Sequence, residues 1–141
     1  MLSVESQTTG FTSSPSSVSF VLQGGNVTLQ WKYSISSSDD SKFHGVRWEA
    51  DRGSTVTNIV LIFVAKDDTE YLGQWLGDFS GHVQNAGSSY SSRLASFKLS
   101  NVQQVHTKEK FVCGLFIDTG VSSNGYSAPV YIKLGSKGPV K

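Results

Sequence analysis

Alternation of apolar and polar residues is the dominant pattern along this chain. The segment Val18 to Leu22 alternates, Gly24 and Gly25 turn the chain, and Val27, Leu29, Trp31 and Tyr33 then share one face at a period of two, the spacing of a strand with one buried side. The polar run from Ser34 to Lys42, with Asp39 and Asp40, reads as a loop, after which His44 to Glu49 alternates again. The unbroken apolar run from Ile59 to Val64 is different. Successive strand side chains point to opposite faces, so it presents Ile59, Leu61 and Phe63 on one side and Val60, Ile62 and Val64 on the other. One set fills a core; the other needs a cover.

Asp67, Asp68 and Glu70 then form a turn into Tyr71 to Leu76, a further strand candidate, and Gly81 to Val83 opens another. Leu94 to Leu99 and Lys110 to Ile117 read as strands, Asp118 to Gly125 as a loop of turn-forming residues, and Val130 to Leu134 as a closing strand. Residues 1–17, rich in Ser and Thr with Pro15, read as a flexible leader or an irregular first strand, with order expected to begin near Val18; residues 135–141 read as a linker. Repeats, heptads and amphipathic helices are missing from the pattern, which predicts a single all-β domain over residues 18–134.

Composition narrows the function classes. At 141 residues the chain has the length of one domain with a two-layer core. Charged residues make up 16% of it, below the roughly 25% typical of soluble domains. A formal charge of +1 with scattered Lys and Arg supplies no field for nucleic acid or anionic lipid, and neither is expected as a partner. The single cysteine, Cys113, excludes an internal disulfide and a cysteine-based metal site; at a core-facing strand position it behaves as a small hydrophobe. No apolar stretch approaches the roughly 18 to 20 residues of a membrane span, and the first residues lack the charged and apolar regions of a secretory signal. A membrane anchor is therefore expected outside this chain.

Candidate chemistry is sparse. His44, His82 and His106 lack metal-ligand spacing, no Gly-x-Ser-x-Gly elbow marks a nucleophile, and Asp67, Asp68 and Glu70 lack the ligand series of a helical calcium loop and read as a solvated turn. No catalytic residue, metal or cofactor is assigned, and an enzyme is not expected. Asn26-Val27-Thr28 is a glycosylation sequon with Asn26 as acceptor, which fits an extracellular protein.

Three stretches set a frame: Gly25 to Tyr33, Gly45 to Trp48, and Lys110 to Gly114. With Leu99 to Val102 between the last two, their order and spacing resemble a variable-type immunoglobulin domain. The resemblance spans residues 18–134. It implies a β-sandwich in which Trp48 is the buried tryptophan of strand C and Cys113 the second cysteine, on strand F, while Trp31 stands where the first cysteine, on strand B, belongs. The bridge between those strands cannot form. Phe111 replaces the corner tyrosine, and His82 and Thr107 stand where an Arg and Asp pair often joins the sheets. Trp31, Trp48, Phe111 and Cys113 are thus expected as structural core. A disulfide contributes about 2 to 4 kcal/mol, while burying a tryptophan contributes about 4 to 6 kcal/mol as an upper bound, so packing can offset the missing bond.

The style of strand B together with the lost bridge resembles the membrane-distal domains of cnidarian (hydroid) allorecognition receptors. That likeness implies an extracellular ectodomain of a plasma-membrane protein that binds a second copy of itself, weakly, across cell contacts. If Val46, Trp48, Phe111, Cys113, Leu115, Val130 and Ile132 point inward, the opposite parity presents Arg47, Glu49, Val112, Phe116 and Tyr131, joined by Val60 and Ile62 of the apolar run. These residues form the expected binding face, because monomers rarely tolerate large exposed apolar patches and aromatics with Arg enrich interface centres. Two alternatives remain: a carbohydrate-binding module with Tyr71, Trp75, Tyr90 and Tyr126 as a sugar platform, and a heterophilic adhesion domain.

Overall fold

A computed structural model of the chain describes residues 8–52, 58–118 and 120–135, with backbone alone at 120–124. In chain order its strands are β1 (Gly10–Ser13), β2 (Val18–Val21), β3 (Val27–Ser34), β4 (Phe43–Asp51), β5 (Ile59–Ala65), β6 (Glu70–Leu72), β7 (Val83–Asn85), β8 (Leu94–Leu99), β9 (Lys110–Ile117), β10 (Gly120–Tyr126) and β11 (Val130–Leu134). Helix α1 (Ser37–Asp40) is a single turn, and two short 3-10 segments cover Gly77–Phe79 and Gln104–Thr107. The fold is all-β.

The strands make two sheets. One has the order β1-β3-β8-β7; the other runs β2-β11-β9-β4-β5-β6, with β10 pairing β9 alongside that path. All pairings are antiparallel except β2 with β11, which run parallel from Tyr131 opposite Val18 to Leu134 opposite Val21. The inward residues of both sheets meet in one core, because the period-two pattern gives β3, β4 and β11 one apolar side. Leu29, Trp31 and Tyr33 are buried on β3, Ala95, Phe97 and Leu99 on β8, Val46, Trp48 and Ala50 on β4, and Phe111, Cys113 and Leu115 on β9. Trp31 and Cys113 therefore lie in the same core, on opposite sheets, and Trp48 stands directly across from Cys113 in the β4–β9 ladder.

Pairing begins earlier than the sequence pattern suggests. β1 lies within the segment read as a leader or an irregular first strand and takes the second form, with Gly10 opposite Ser34, Phe11 opposite Tyr33 and a register shift before Ser13. Its few apolar residues give no readable period, yet Phe11 packs against the core. A second difference lies at 120–125, within the stretch Asp118 to Gly125 expected as a loop of turn residues. Gly120–Tyr126 instead pairs with β9, Val121 opposite Phe116 and Tyr126 opposite Gly114. Weak strand formers become strand here because the edge of β9 supplies partners for their backbone groups.

Two polar locks close the ends. At one, Ser36 caps α1 by accepting from the Asp39 N–H, while Tyr90 stacks on Phe43 with centroids 5.5 Å apart and donates its hydroxyl to Asp40. The Arg93 guanidinium lies 4.1 Å from the Tyr90 ring centroid. At the other end His106 is buried, its Nδ1 accepting from the Gln103 N–H at 3.0 Å and its Nε2 donating to the Asp78 carbonyl at 2.8 Å. His82 meets it in a tilted contact with ring centroids 4.4 Å apart, whereas Thr107 donates its hydroxyl to the carbonyl of Gln104. The imidazole pair, not His82 with Thr107, ties these segments.

Candidate recognition surface

The outward row of the larger sheet is set by register. Arg47 of β4 stands opposite Phe63 of β5 and Gly114 of β9. Phe63 in turn faces Tyr71 of β6, and Gly114 faces Tyr126 of β10. Tyr71, Phe63, Arg47, Gly114 and Tyr126 therefore form one line across five strands. Phe116, two residues beyond Gly114, meets Phe63 edge-on at 5.6 Å, and the Arg47 guanidinium lies 5.5 Å from its ring centroid. Phe63 and Tyr71 are 6.1 Å apart, and His44 stands 5.8 Å from Phe116. The row ends at the sheet edge with Tyr71, 55% exposed; Leu72 shares the inner side of β6 with its ladder partner Ile62, and it and Trp75, 66% and 80% exposed, line a cleft there.

The structure brings some of the expected face together and removes the rest. Arg47 and Phe116 lie on it as expected, and Val60 lies on the same side opposite Glu49. Ile62 does not. It stands across from Trp48 and is fully buried in the core, as is Leu61. The register shifts between Trp48 and Glu49, so Leu61 is the extra residue of a bulge, and beyond it Phe63 turns outward in place of Ile62. The turn after β6 fits against this bulge: the Gly73 N–H donates to the Leu61 carbonyl at 2.8 Å, and a Cβ on Gly73 would sit 1.7 Å from the Val60 carbonyl oxygen. Phe63 was the residue that sequence reasoning missed. The only signal was the apolar run itself, which suits either parity.

Glu49 and Val112 have the outward parity but are not exposed. Glu49, at 1% exposure, accepts from Arg47 Nε, from Asn58 Nδ2 at 2.9 Å and from the Tyr126 hydroxyl at 3.1 Å. Tyr126, at the end of β10, thereby reaches across to Glu49. Burial opposes the Arg47 charge, but its hydrogen bonds to Glu49 and Tyr126 prevail and hold its pKa above the ordinary value; burial, aided by the adjacent carboxylate, raises that of Tyr126. Tyr131, 39% exposed, lies on β11 with the Lys133 ammonium 5.6 Å from its ring; it belongs to the opposite edge, away from Phe63 and Tyr71.

The other sequence candidates separate as well. Tyr71 and Trp75 are exposed near one edge, but Tyr90 is held in the lock with Asp40 and Tyr126 is engaged with Glu49, so the four do not form one platform. Asn26 is exposed at the turn before β3, its Oδ1 accepting from the Asn101 N–H at 3.0 Å. Cys113 is a free, buried thiol whose pKa burial pushes well above the ordinary value. Asp67 accepts from the Thr69 N–H at 3.0 Å in a tight turn, and among the described residues no group of three His, Cys, Asp or Glu side chains is placed to hold a metal ion.

Compared with known proteins, the chain matches no protein-family model and no curated protein sequence.

Proposed function

We propose that this chain is a variable-type immunoglobulin domain that serves as an extracellular recognition module and binds a second copy of itself through the outer face of β4, β5, β6 and β9. The immunoglobulin reading is supported by the strand order of the two sheets, by the parallel pairing of β2 with β11, and by the shared core of Trp31, Trp48 and Cys113. The recognition reading is carried by one observation: the aromatic line Tyr71, Phe63 and Phe116, with Arg47 against it, lies half-exposed on the outer face of the sheet and ends at exposed Tyr71. Such a patch is the composition of an interface centre. Self-binding of one domain is expected to be weak, in roughly the micromolar range, because many pairs at a cell contact multiply into avidity.

Sedimentation equilibrium of the wild type and of Phe63→Glu and Phe116→Glu tests this reading. A concentration-dependent dimer that both charges abolish, in proteins that melt as wild type, supports it. A monomer at millimolar concentration removes it. The carbohydrate alternative keeps one observation in its favour: Trp75 lines an open cleft of about 870 Å³ with Arg52, Asn58, Gln74 and Asp78. Glycan binding by a strictly monomeric protein, lost in Trp75→Ala, would favour it.

A further inference from the structure

Glu49 is an anomaly on the outer side of the sheet. Its parity directs it toward solvent, between Val60 and Val112 in the ladder, yet solvent scarcely reaches it. A buried ion pair is often no more stabilising than packed apolar side chains of the same volume, so stability alone does not account for a carboxylate here. A fully satisfied polar network does supply fixed geometry. The donors that converge on Glu49 come from three places: Arg47 on the same strand, Asn58 just ahead of β5, and Tyr126 at the end of β10. Tyr126 also lies 3.5 Å from Arg47 Nη2. Two of the three donors belong to the outward line, and one of them is the cation beside Phe116.

Resting on the self-recognition reading above, we propose that Glu49 is the positioning residue of the recognition surface: its carboxylate, out of reach of any partner, holds the Arg47 guanidinium beside Phe116 and anchors β10 through Tyr126. An arginine held in this way has little rotamer freedom left to lose when a partner arrives, and binding strength gained by preorganisation needs no contact with the residue that provides it. Specificity then follows, because an ordered guanidinium accepts only a partner whose acceptors or rings match its plane.

The test uses the whole chain as wild type, Glu49→Gln, Glu49→Leu, Arg47→Ala and the double variant Glu49→Leu with Arg47→Ala. Sedimentation equilibrium reads self-association, thermal melts read folding, and NMR of the Arg47 Nε–H reads its exchange with solvent. Both Glu49 variants are expected to fold, to expose the Arg47 Nε–H to faster exchange, and to weaken self-association about tenfold, the scale of one charged hydrogen bond. Arg47→Ala should add nothing in the Glu49→Leu background, since the two act as one unit. A folded Glu49→Leu protein that associates as wild type, or keeps the Arg47 exchange rate, overturns the proposal and leaves the recognition reading standing. A wild type that stays monomeric overturns both, and that outcome is read without any variant. If Glu49→Leu unfolds, Glu49→Gln decides, because it keeps the shape and one acceptor oxygen; if it unfolds too, Glu49 is only structural and the proposal fails.

Discussion

Trp48 of one sheet stacks on Phe97 of the other, with ring centroids 5.4 Å apart and planes 12° from parallel. Trp31, on the same sheet as Phe97, adds a tilted contact at 6.5 Å, and Phe111 meets Trp48 at 5.8 Å. These rings join the sheets without a sulfur bridge. They provide buried area and stacking in place of a covalent constraint on the unfolded chain, so stability in this domain depends on close packing.

Trp31→Ala is expected to destabilise the domain by about 3 to 5 kcal/mol, the range of large aromatic truncations in cores. Trp31→Phe should cost much less. It keeps a ring near Phe97, and it removes an indole N–H that is buried with no acceptor among the described residues, itself a cost of about 1 to 3 kcal/mol. Urea melts analysed at a common slope compare the two. Equal losses would mean that ring packing is not what holds the sheets together here.

Neighbouring residues on β5 should respond in opposite ways to the same charge. Ile62→Glu places a carboxylate against Trp48 in the core and is expected to prevent folding. Phe63→Glu places it on the outer face and should leave the melting temperature within a few degrees while removing the proposed self-association. Circular dichroism melts settle the parity. A folded Ile62→Glu protein would show that the bulge at Leu61 is misassigned.

The Cys113 thiol should be inert in the native state, being buried and with its pKa raised by that burial. Labelling with a thiol-specific chromogenic reagent is expected to proceed only at the rate of global unfolding and to be immediate in denaturant. Fast labelling of folded protein would place the thiol at the surface and discard the core assignment.

Acid should loosen the lock at α1. The Tyr90 hydroxyl, foremost, then Lys66 and Arg93, hold the Asp40 pKa below its ordinary 3.8. A depressed carboxylate pKa contributes stability that is present above the ordinary value and is lost as pH falls through the native one. Tyr90→Phe should therefore raise the Asp40 pKa toward 3.8, and its stability deficit relative to wild type should shrink below that pH. Carboxyl carbon NMR titration reads the first effect and melts at pH 7 and at about pH 3 read the second. An unmoved Asp40 titration would remove the hydroxyl as the cause.

The limits of the β3, β8, β9 and β11 pattern were legible because each strand has one apolar side, and Leu94–Leu99 and Lys110–Ile117 coincide with the observed strands. Of the expected face, Arg47 and Phe116 were legible for the same reason: both alternate with core-facing neighbours, Val46 and Trp48 for the one, Leu115 and partly buried Ile117 for the other. Phe63 and Ile62 were not. A run apolar at every position carries no parity, and the one-residue bulge that exchanges them is set by the fit of Gly73 against Val60 and Leu61.

What the sequence by itself determined is most of the strands, β1 and β10 apart, and which side of the alternating ones is wet, since period-two alternation is a local property that survives any arrangement of the sheets. It also determined that no disulfide joins the sheets, because the chain has one cysteine. Only the tertiary structure decided that 120–126 returns as a strand along β9, that Tyr126 thereby covers Glu49, and that a carboxylate of outward parity is buried. The physical reason is that burial on an outer face depends on which distant segment crosses it. Residues 49 and 126 have no local pattern linking them, and the hydrogen bond between them exists only once β4, β9 and β10 lie side by side.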